Sequence, residues 1–216
     1  MQKKTDISQI RFEYKKGSID IKNIDLNPIK QFKKWIKEAI KNKVFEPSAM
    51  SLSTVNKRNN VSSRIVLLKG IEKNSFVFYT NLRSRKSSEL NINKRVAVVF
   101  WWPQIGKQVR IEGYVKIVKK KEADNYFSTR SRNSQIGAWT SNQSSILKDR
   151  KTLIKRYKII EKRFENKNIT RPDFWSGYEI KPSLFEFWQV RENRLHDRIV
   201  YKRINQKKWK KYRLNP

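Results

Sequence analysis

The sequence predicts a mainly antiparallel β fold with peripheral helices, an α+β arrangement. Five stretches between residues 50 and 118 are rich in β-branched and aromatic residues, separated by turn signals such as Asn59-Asn60 and Lys73-Asn74. Three further stretches of the same kind close the chain after residue 183, while helical periodicity is confined to segments that flank the strands. Short strands in hairpin order with a few helices beside them point to a barrel or sandwich decorated by helices. Only six Gly and six Pro occur in 216 residues, and no linker or fixed-period repeat divides the chain. The expected organisation is an N-terminal arm over residues 1–27 and a single domain over residues 28–216.

The first helix is expected from Pro28 to Lys43. Asn27 can cap it, Pro28 takes the first position, where a missing N–H costs nothing, and Ile29, Phe32, Trp35, Ile36, Ala39 and Ile40 recur on one face. The strands of the middle region are Met50–Val55, Ser63–Leu68, Ser75–Tyr79, Arg95–Trp102 and Gln108–Val118. Between the third and fourth lies a polar stretch, Ser84–Asn91, with Ser84 as its cap. Lys120–Thr129 reads as a helix, and Leu147–Glu165 as a longer one with Leu153, Ile154, Tyr157, Ile160 and Phe164 facing inward. Leu184–Val190, Asp197–Arg203 and Lys208–Arg213 return to strand.

Composition excludes several kinds of chemistry. With no cysteine there is no disulfide, thiolate metal site or cysteine nucleophile, and one histidine makes a histidine-based metal site improbable, so no metal is expected. The longest apolar run, Val96 to Trp102, is seven residues, far short of a bilayer, and no secretory signal is visible at the start. A cytoplasmic protein without a membrane partner is therefore expected. The formal charge is +32, and the excess is spread along the chain: +6 over residues 1–49, +10 over 50–118, +3 over 119–147, +6 over 148–182 and +7 over 183–216. Lysine outnumbers arginine 33 to 18. Nucleic-acid readers concentrate charge on one stripe and favour arginine forks, so most of this excess reads as solvated surface.

Three spacings bring polar groups together. Tyr126, Arg130 and Ser134 are four apart, so a helix that persisted through them would align a phenol, a guanidinium and a hydroxyl, a set suited to a phosphate monoester or simply to a solvated face. Strand alternation through Arg194-Leu195-His196-Asp197-Arg198 would put Arg194, His196 and Arg198 on one face, where two guanidiniums would disfavour the charged imidazole and attract an anion, unless the histidine is simply hydrogen-bonded locally at a strand end. Arg64 and Lys69 are five apart and fall on opposite faces of a regular strand, so they could meet one ligand only if the strand ends near Lys69, which Gly70 permits. At the next strand end, Tyr79-Thr80 and Ser84-Arg85-Lys86 could hold a phosphate with the free N–H groups of a helix start. No G-x-G-x-x-G, P-loop, H-E-x-x-H or G-x-S-x-G motif occurs, so a phosphate site here would be built from side chains.

Eight segments occur in an order that resembles the pyridoxamine (pyridoxine) 5'-phosphate oxidase family: Arg64-Ile-Val-Leu-Leu-Lys69, Tyr79-Thr-Asn-Leu-Arg-Ser-Arg-Lys86, Gln108-Val-Arg-Ile-Glu-Gly113, Ser134-Gln-Ile-Gly-Ala-Trp139, Gln143-Ser-Ser145, Phe174-Trp-Ser-Gly177, Glu186-Phe-Trp-Gln189 and Arg194-Leu-His-Asp-Arg198. The resemblance implies an FMN-binding split β-barrel that works as a homodimer with FMN at the interface. It implies oxidation of pyridoxamine 5'-phosphate or pyridoxine 5'-phosphate to pyridoxal 5'-phosphate, with hydride passing from C4' to flavin N5 and molecular oxygen reoxidising the flavin to give hydrogen peroxide. Carried over by motif, FMN falls to Arg64, Ile65, Val66, Leu67, Leu68, Lys69, Tyr79, Thr80, Arg85, Lys86, Gln108, Gln143, Ser144, Trp188 and Arg198. The phosphorylated pyridine substrate falls to Lys69, Tyr126, Arg130 and Ser134, with Arg194 and His196 as the catalytic pair on its ring. Arg11 and Tyr14 resemble part of an N-terminal lid. Ser131 and Asn133 depart from a usual Pro and Asp. The alternatives are another flavin split-barrel reductase or FMN-binding protein, and a basic nucleic-acid-binding barrel in which Trp101, Trp102 and Tyr114 would stack bases.

Overall fold

The computed structural model describes residues 17–206 and 208–216. These form two compact units, one built from residues 17–47 with Phe100–Val109 and the described part of Phe185–Pro216, the other from Ser48–Val99 and Arg110–Leu184. The elements in chain order are α1 (Pro28–Lys41), β1 (Ala49–Val55), β2 (Val61–Leu67), β3 (Gly70–Glu72), β4 (Ser75–Asn81), α2 (Arg85–Ile92), β5 (Arg95–Trp102) and β6 (Lys107–Ile117). There follow α3 (Lys120–Ser128), α4 (Arg132–Thr140), α5 (Arg150–Arg163), β7 (Trp175–Gln189), β8 (Asp197–Arg203) and β9 (Trp209–Leu214). No described helix is long and apolar enough to cross a membrane.

In the first unit, Asn27 Oδ1 accepts the N–H groups of Ile29 (2.9 Å) and Lys30 (3.3 Å) and so starts α1 where its sequence expects. Ile29, Phe32, Trp35 and Ala39 are buried, but Ile40 is 59% exposed and has left the apolar face. The helix ends two residues short of the expected Lys43, because Asn42 caps it and Lys43 takes a left-handed φ of 52°. Phe32 meets Phe100 edge-on at 4.9 Å and Trp35 meets Phe187 edge-on at 5.1 Å. β8 and β9 pair antiparallel, from Arg198 opposite Leu214 to Arg203 opposite Trp209. Residues 17–27 of the expected arm are tied to this unit: Ile19 N–H donates to Asp197 (3.0 Å), and Tyr201 Oη–H to the Asp25 carbonyl (2.5 Å).

In the second unit the strands lie in the order β2-β1-β5-β6-β7-β4-β3. β1 and β2 pair antiparallel from Ala49 opposite Leu67 to Val55 opposite Val61, and β4 pairs antiparallel with β7 from Phe76 opposite Ile180 to Asn81 opposite Trp175. β7 is the largest departure from expectation: only its last part, from Leu184, reads as strand in the sequence, whereas the strand begins at Trp175. Gly113 is required by the close approach of two strands, since a Cβ there would lie 2.3 Å from the Lys181 carbonyl oxygen. The long helix is shorter than expected, running from the Asp149 cap, which accepts Thr152 N–H at 2.6 Å, to Arg163. None of its residues is fully buried, and Ile154, expected inward, is 46% exposed. Tyr157 and Ile160 do pack against a cluster of Phe127, Ile136, Phe164, Ile169 and Trp175.

Candidate functional site

A pocket of about 820 Å³ opens within the second unit, and it collects most of the residues singled out from the sequence. One wall comes from β2, the end of β4 and the start of α2. β2 stops at Leu67, Leu68 turns into the interior with its N–H on the Ser48 carbonyl (2.9 Å), and Lys69 then donates its N–H to Val77 O (2.8 Å). That break in alternation lets Arg64 and Lys69 line one pocket, as Gly70 allows, while Leu68 does not line it. Arg85 and Lys86 enter from the first turn of α2, and Tyr79 and Thr80 from β4. Ser84 stands at the cap position, but its hydroxyl donates to Asn81 O (2.7 Å) instead of closing the helix.

The charges of this wall are internally arranged. The Glu89 carboxylate, 4% exposed, accepts from Thr54 Oγ1 (2.5 Å), Ser62 Oγ (2.7 Å), Arg85 Nε (2.9 Å) and Arg64 Nη2 (3.3 Å). Burial alone would push this acid up; the hydrogen bonds and the Arg64 charge prevail and hold it at about 2. Lys86 is buried as well, and its ammonium donates to neutral oxygens: Thr80 Oγ1 (3.0 Å), Ser84 Oγ (3.2 Å) and Gln143 Oε1 (3.2 Å). Burial and the neighbouring Arg64 bring it down to about 8, against a smaller opposing pull from Glu89. Gln143 and Ser144, the latter at a left-handed φ of 72°, close this side.

A second wall carries Tyr126, Arg130 and Ser134. No continuous helix holds them, because α3 stops at Ser128 and α4 starts at Arg132, yet all three line the pocket. Tyr79 stacks on Tyr126 (ring centroids 3.9 Å, planes 10° apart) and on Trp175 (5.4 Å, 6°). Gly177 makes this possible: a Cβ there would sit 2.8 Å from the Tyr79 ring. Burial pushes the Tyr79 phenol up to about 12 and raises that of Tyr126, so both remain protonated donors at neutral pH. The Arg130 guanidinium lies 4.7 Å over Trp175, and its Nη1 is buried with no hydrogen-bond partner among the described residues. Ser131 Oγ–H donates to Ser134 Oγ at 2.8 Å.

The remaining expected residues belong to the first unit. Gln108 lies on β6 and is half-buried. Trp188 and His196 are ring neighbours at 4.5 Å, and Arg198 forms a two-pronged pair with the buried Glu186 (2.9 and 3.2 Å). The strand alternation expected to align Arg194, His196 and Arg198 is not formed. Arg194 sits in a 3₁₀ turn (Glu192–Arg194) at φ 60°, and β8 begins only at Asp197. Burial and then Arg194 lower the His196 pKa, so the ring is neutral at pH 7. Its Nδ1 accepts the Arg191 N–H at 3.2 Å, which places the ring proton on Nε2. Arg11 and Tyr14 lie outside the described residues. Sequence reasoning missed Trp175 and Glu89. Trp175 stood inside a quoted motif, and Glu89 stood four residues after Arg85, at helical pairing distance.

Residues 36–163 match a family model described as pyridoxamine 5'-phosphate oxidase, and residues 175–216 one described as the pyridoxine 5'-phosphate oxidase C-terminal dimerisation region. The chain is 44% identical over 211 residues to a pyridoxine/pyridoxamine 5'-phosphate oxidase of Rubrobacter xylanophilus, covering 98% of this chain and 97% of that protein. A protein of the same name from Leptospira interrogans is 45% identical over 210 residues, covering 97% and 98%. Among solved structures, PhzG from Burkholderia lata, in complex with tetrahydrophenazine-1-carboxylic acid, aligns with TM-score 0.85 at 29% identity, over 93% of this chain and all of that one. A pyridoxamine 5'-phosphate oxidase-related, FMN-binding protein from Nostoc punctiforme shares the fold with TM-score 0.70 at 15% identity, over 89% of this chain and all of that one.

Proposed function

The chain belongs to the pyridoxamine 5'-phosphate oxidase family, and from that premise we propose that the pocket of the second unit receives both the cofactor's phosphate and the substrate's. The protein is an FMN-dependent oxidase of split-barrel fold that converts pyridoxamine 5'-phosphate or pyridoxine 5'-phosphate to pyridoxal 5'-phosphate, and it works as a homodimer with FMN at the interface. Bound FMN supplies a two-electron acceptor for hydride from the substrate C4' and a route for those electrons to molecular oxygen, giving hydrogen peroxide. The lack of any cysteine, and so of any disulfide, supports a cytoplasmic location.

The observation that supports the site assignment is that two separate sets of cationic and hydroxyl side chains suited to phosphate line one pocket. The residues fit such ligands. The Lys86 ammonium is buried against neutral oxygens, and Arg130 Nη1 is buried without a partner; a phosphate oxygen supplies what each lacks. In this reading Arg64, Arg85, Lys86 and Thr80 hold the FMN phosphate. Tyr126, Arg130, Ser134 and Lys69 hold the substrate phosphate, a remote handle that positions the reacting carbon. Ile65, Val66 and Leu67 line the pocket and would contribute to the flavin site, with Leu68 buried behind them. Gln108, Gln143, Ser144, Trp188 and Arg198 complete the cofactor set.

Arg194 and His196, inside the region matched by the dimerisation model, orient the pyridine ring. His196 offers it a neutral Nε2–H, and Arg194 a fixed positive charge. No side chain acts as a nucleophile. The purified protein is expected to be yellow and to bleach anaerobically on addition of pyridoxamine 5'-phosphate. Arg194→Ala is expected to lower turnover with FMN still bound. Loss of flavin with unchanged activity per flavin would overturn the Arg194 assignment, and a colourless protein would overturn the site.

A further inference from the structure

We propose that Glu89 is a positioning residue that sets Arg64 and Arg85 as a preformed pair for the cofactor phosphate; the inference rests on the reading that this wall takes the FMN phosphate. Its two oxygens are divided between two guanidiniums. Oε1 accepts Arg85 Nε at 2.9 Å, and Oε2 accepts Arg64 Nη2 at 3.3 Å together with the hydroxyls of Thr54 and Ser62. A carboxylate kept only to neutralise a buried arginine would need Arg64 alone. Arg85 has no need of neutralisation, since its side chain is 62% exposed, yet Glu89 reaches one turn back along α2 to fix it. No other hydrogen bond holds the Arg85 head group among the described residues. Arg64 is fixed more fully, with Nη1 on Leu52 O (3.2 Å) and Thr54 Oγ1 (2.5 Å), and Nη2 on Ser62 Oγ (2.5 Å).

The charge count agrees. Among the groups assigned to the cofactor phosphate, Arg64, Arg85 and Lys86 contribute three positive charges and Glu89 one negative, a balance of +2. A phosphate monoester brings between about −1.5 and −2 at neutral pH. Glu89 therefore trims the cationic group to match a phosphomonoester and holds the two forks in place before the ligand arrives. In Glu89→Gln the amide NH2 would face at least one of the four donors that now converge on the carboxylate, which displaces the guanidiniums.

The test titrates FMN and riboflavin against flavin-stripped homodimer by quenching of flavin fluorescence. Riboflavin carries the same ring without the phosphate. Glu89→Gln is expected to weaken FMN by about ten- to a hundredfold and riboflavin by less than about threefold. Glu89→Asp keeps the charge one methylene short and is expected to show the same selective loss at smaller size; it carries the test if Glu89→Gln does not fold. Equal losses for both flavins, or no loss for FMN, overturn the proposal by reducing Glu89 to a structural or idle ion pair. A wild-type protein that binds FMN and riboflavin equally would instead overturn the phosphate reading of the wall, before any variant is made.

Discussion

The two walls of the pocket are both cationic and differ in how their cations are settled. On the β2–α2 wall the guanidinium of Arg64 and the Nε of Arg85 meet a buried carboxylate, and Lys86 is ringed by three neutral oxygens. On the helical wall Arg130 meets no carboxylate among the described residues; it rests on the Trp175 ring and leaves one buried nitrogen without a described partner. A buried donor left without a partner costs on the order of 1–3 kcal/mol. The first wall is organised by the fold itself, which is the arrangement the proposed cofactor side needs. On the proposed substrate side Arg130 keeps an unmet hydrogen bond, and satisfying it would contribute to binding.

Removing the most buried cation is expected to separate the walls most sharply. Lys86→Met takes the ammonium from its three oxygens, and FMN affinity should fall on the order of a hundredfold. The KM for pyridoxamine 5'-phosphate, measured on the flavin-loaded fraction, should move by less than about threefold; comparable losses of both ligands would dissolve the distinction. The converse variant, Arg130→Gln, should raise that KM by about ten- to a hundredfold with flavin content unchanged, read by steady-state kinetics alongside the absorbance of the preparation.

A pH titration sharpens the same contrast. Lys86, lowered to about 8 in the free protein, is pulled back up by a bound phosphate dianion. Above about 8, FMN binding must therefore take up a proton, and its Kd should climb by up to about tenfold per pH unit. Lys86→Met should flatten that limb, and a wild-type profile level from pH 7 to 10 would contradict it. The smallest effect is expected where the walls meet in the ring stack. A methyl in Gly177→Ala would lie 2.8 Å from Tyr79 and 3.0 Å from the Phe78 carbonyl, so the ring must move. The expected result is a stability loss of about 1–3 kcal/mol by denaturant titration and a change of only a few-fold in substrate KM.

What could be read from the sequence follows what is local. The start of α1 was legible because Asn27 and Pro28 act within one turn of themselves. Most strands were legible from their β-branched and aromatic runs. β7 was not, because Gly177 and Pro182 look like strand breakers and their reasons are tertiary: one lies under the Tyr79 ring, the other faces Gly113 across a close approach. α4 carries no side-chain cap and contains Gly137, so it gave no start signal. The Tyr126–Arg130–Ser134 set was found through a helix that does not exist: the chain turns at residues 129–131 and still delivers all three to one pocket. The residues proposed for the cofactor follow from the order of family motifs, which spacing alone left open. The Arg64–Glu89 pair spans 25 residues, and no local pattern announces it.

The carboxylate at Glu89 also bears on the order of events in the life of the chain. A cluster of three uncompensated cations would resist folding until an anion arrived, tying maturation to the supply of flavin. By carrying one counter-ion inside α2, the chain lowers that repulsion before any cofactor is met. Newly made protein is therefore expected to fold first and load later, which refolding without flavin, followed by recovery of activity on its addition, would check.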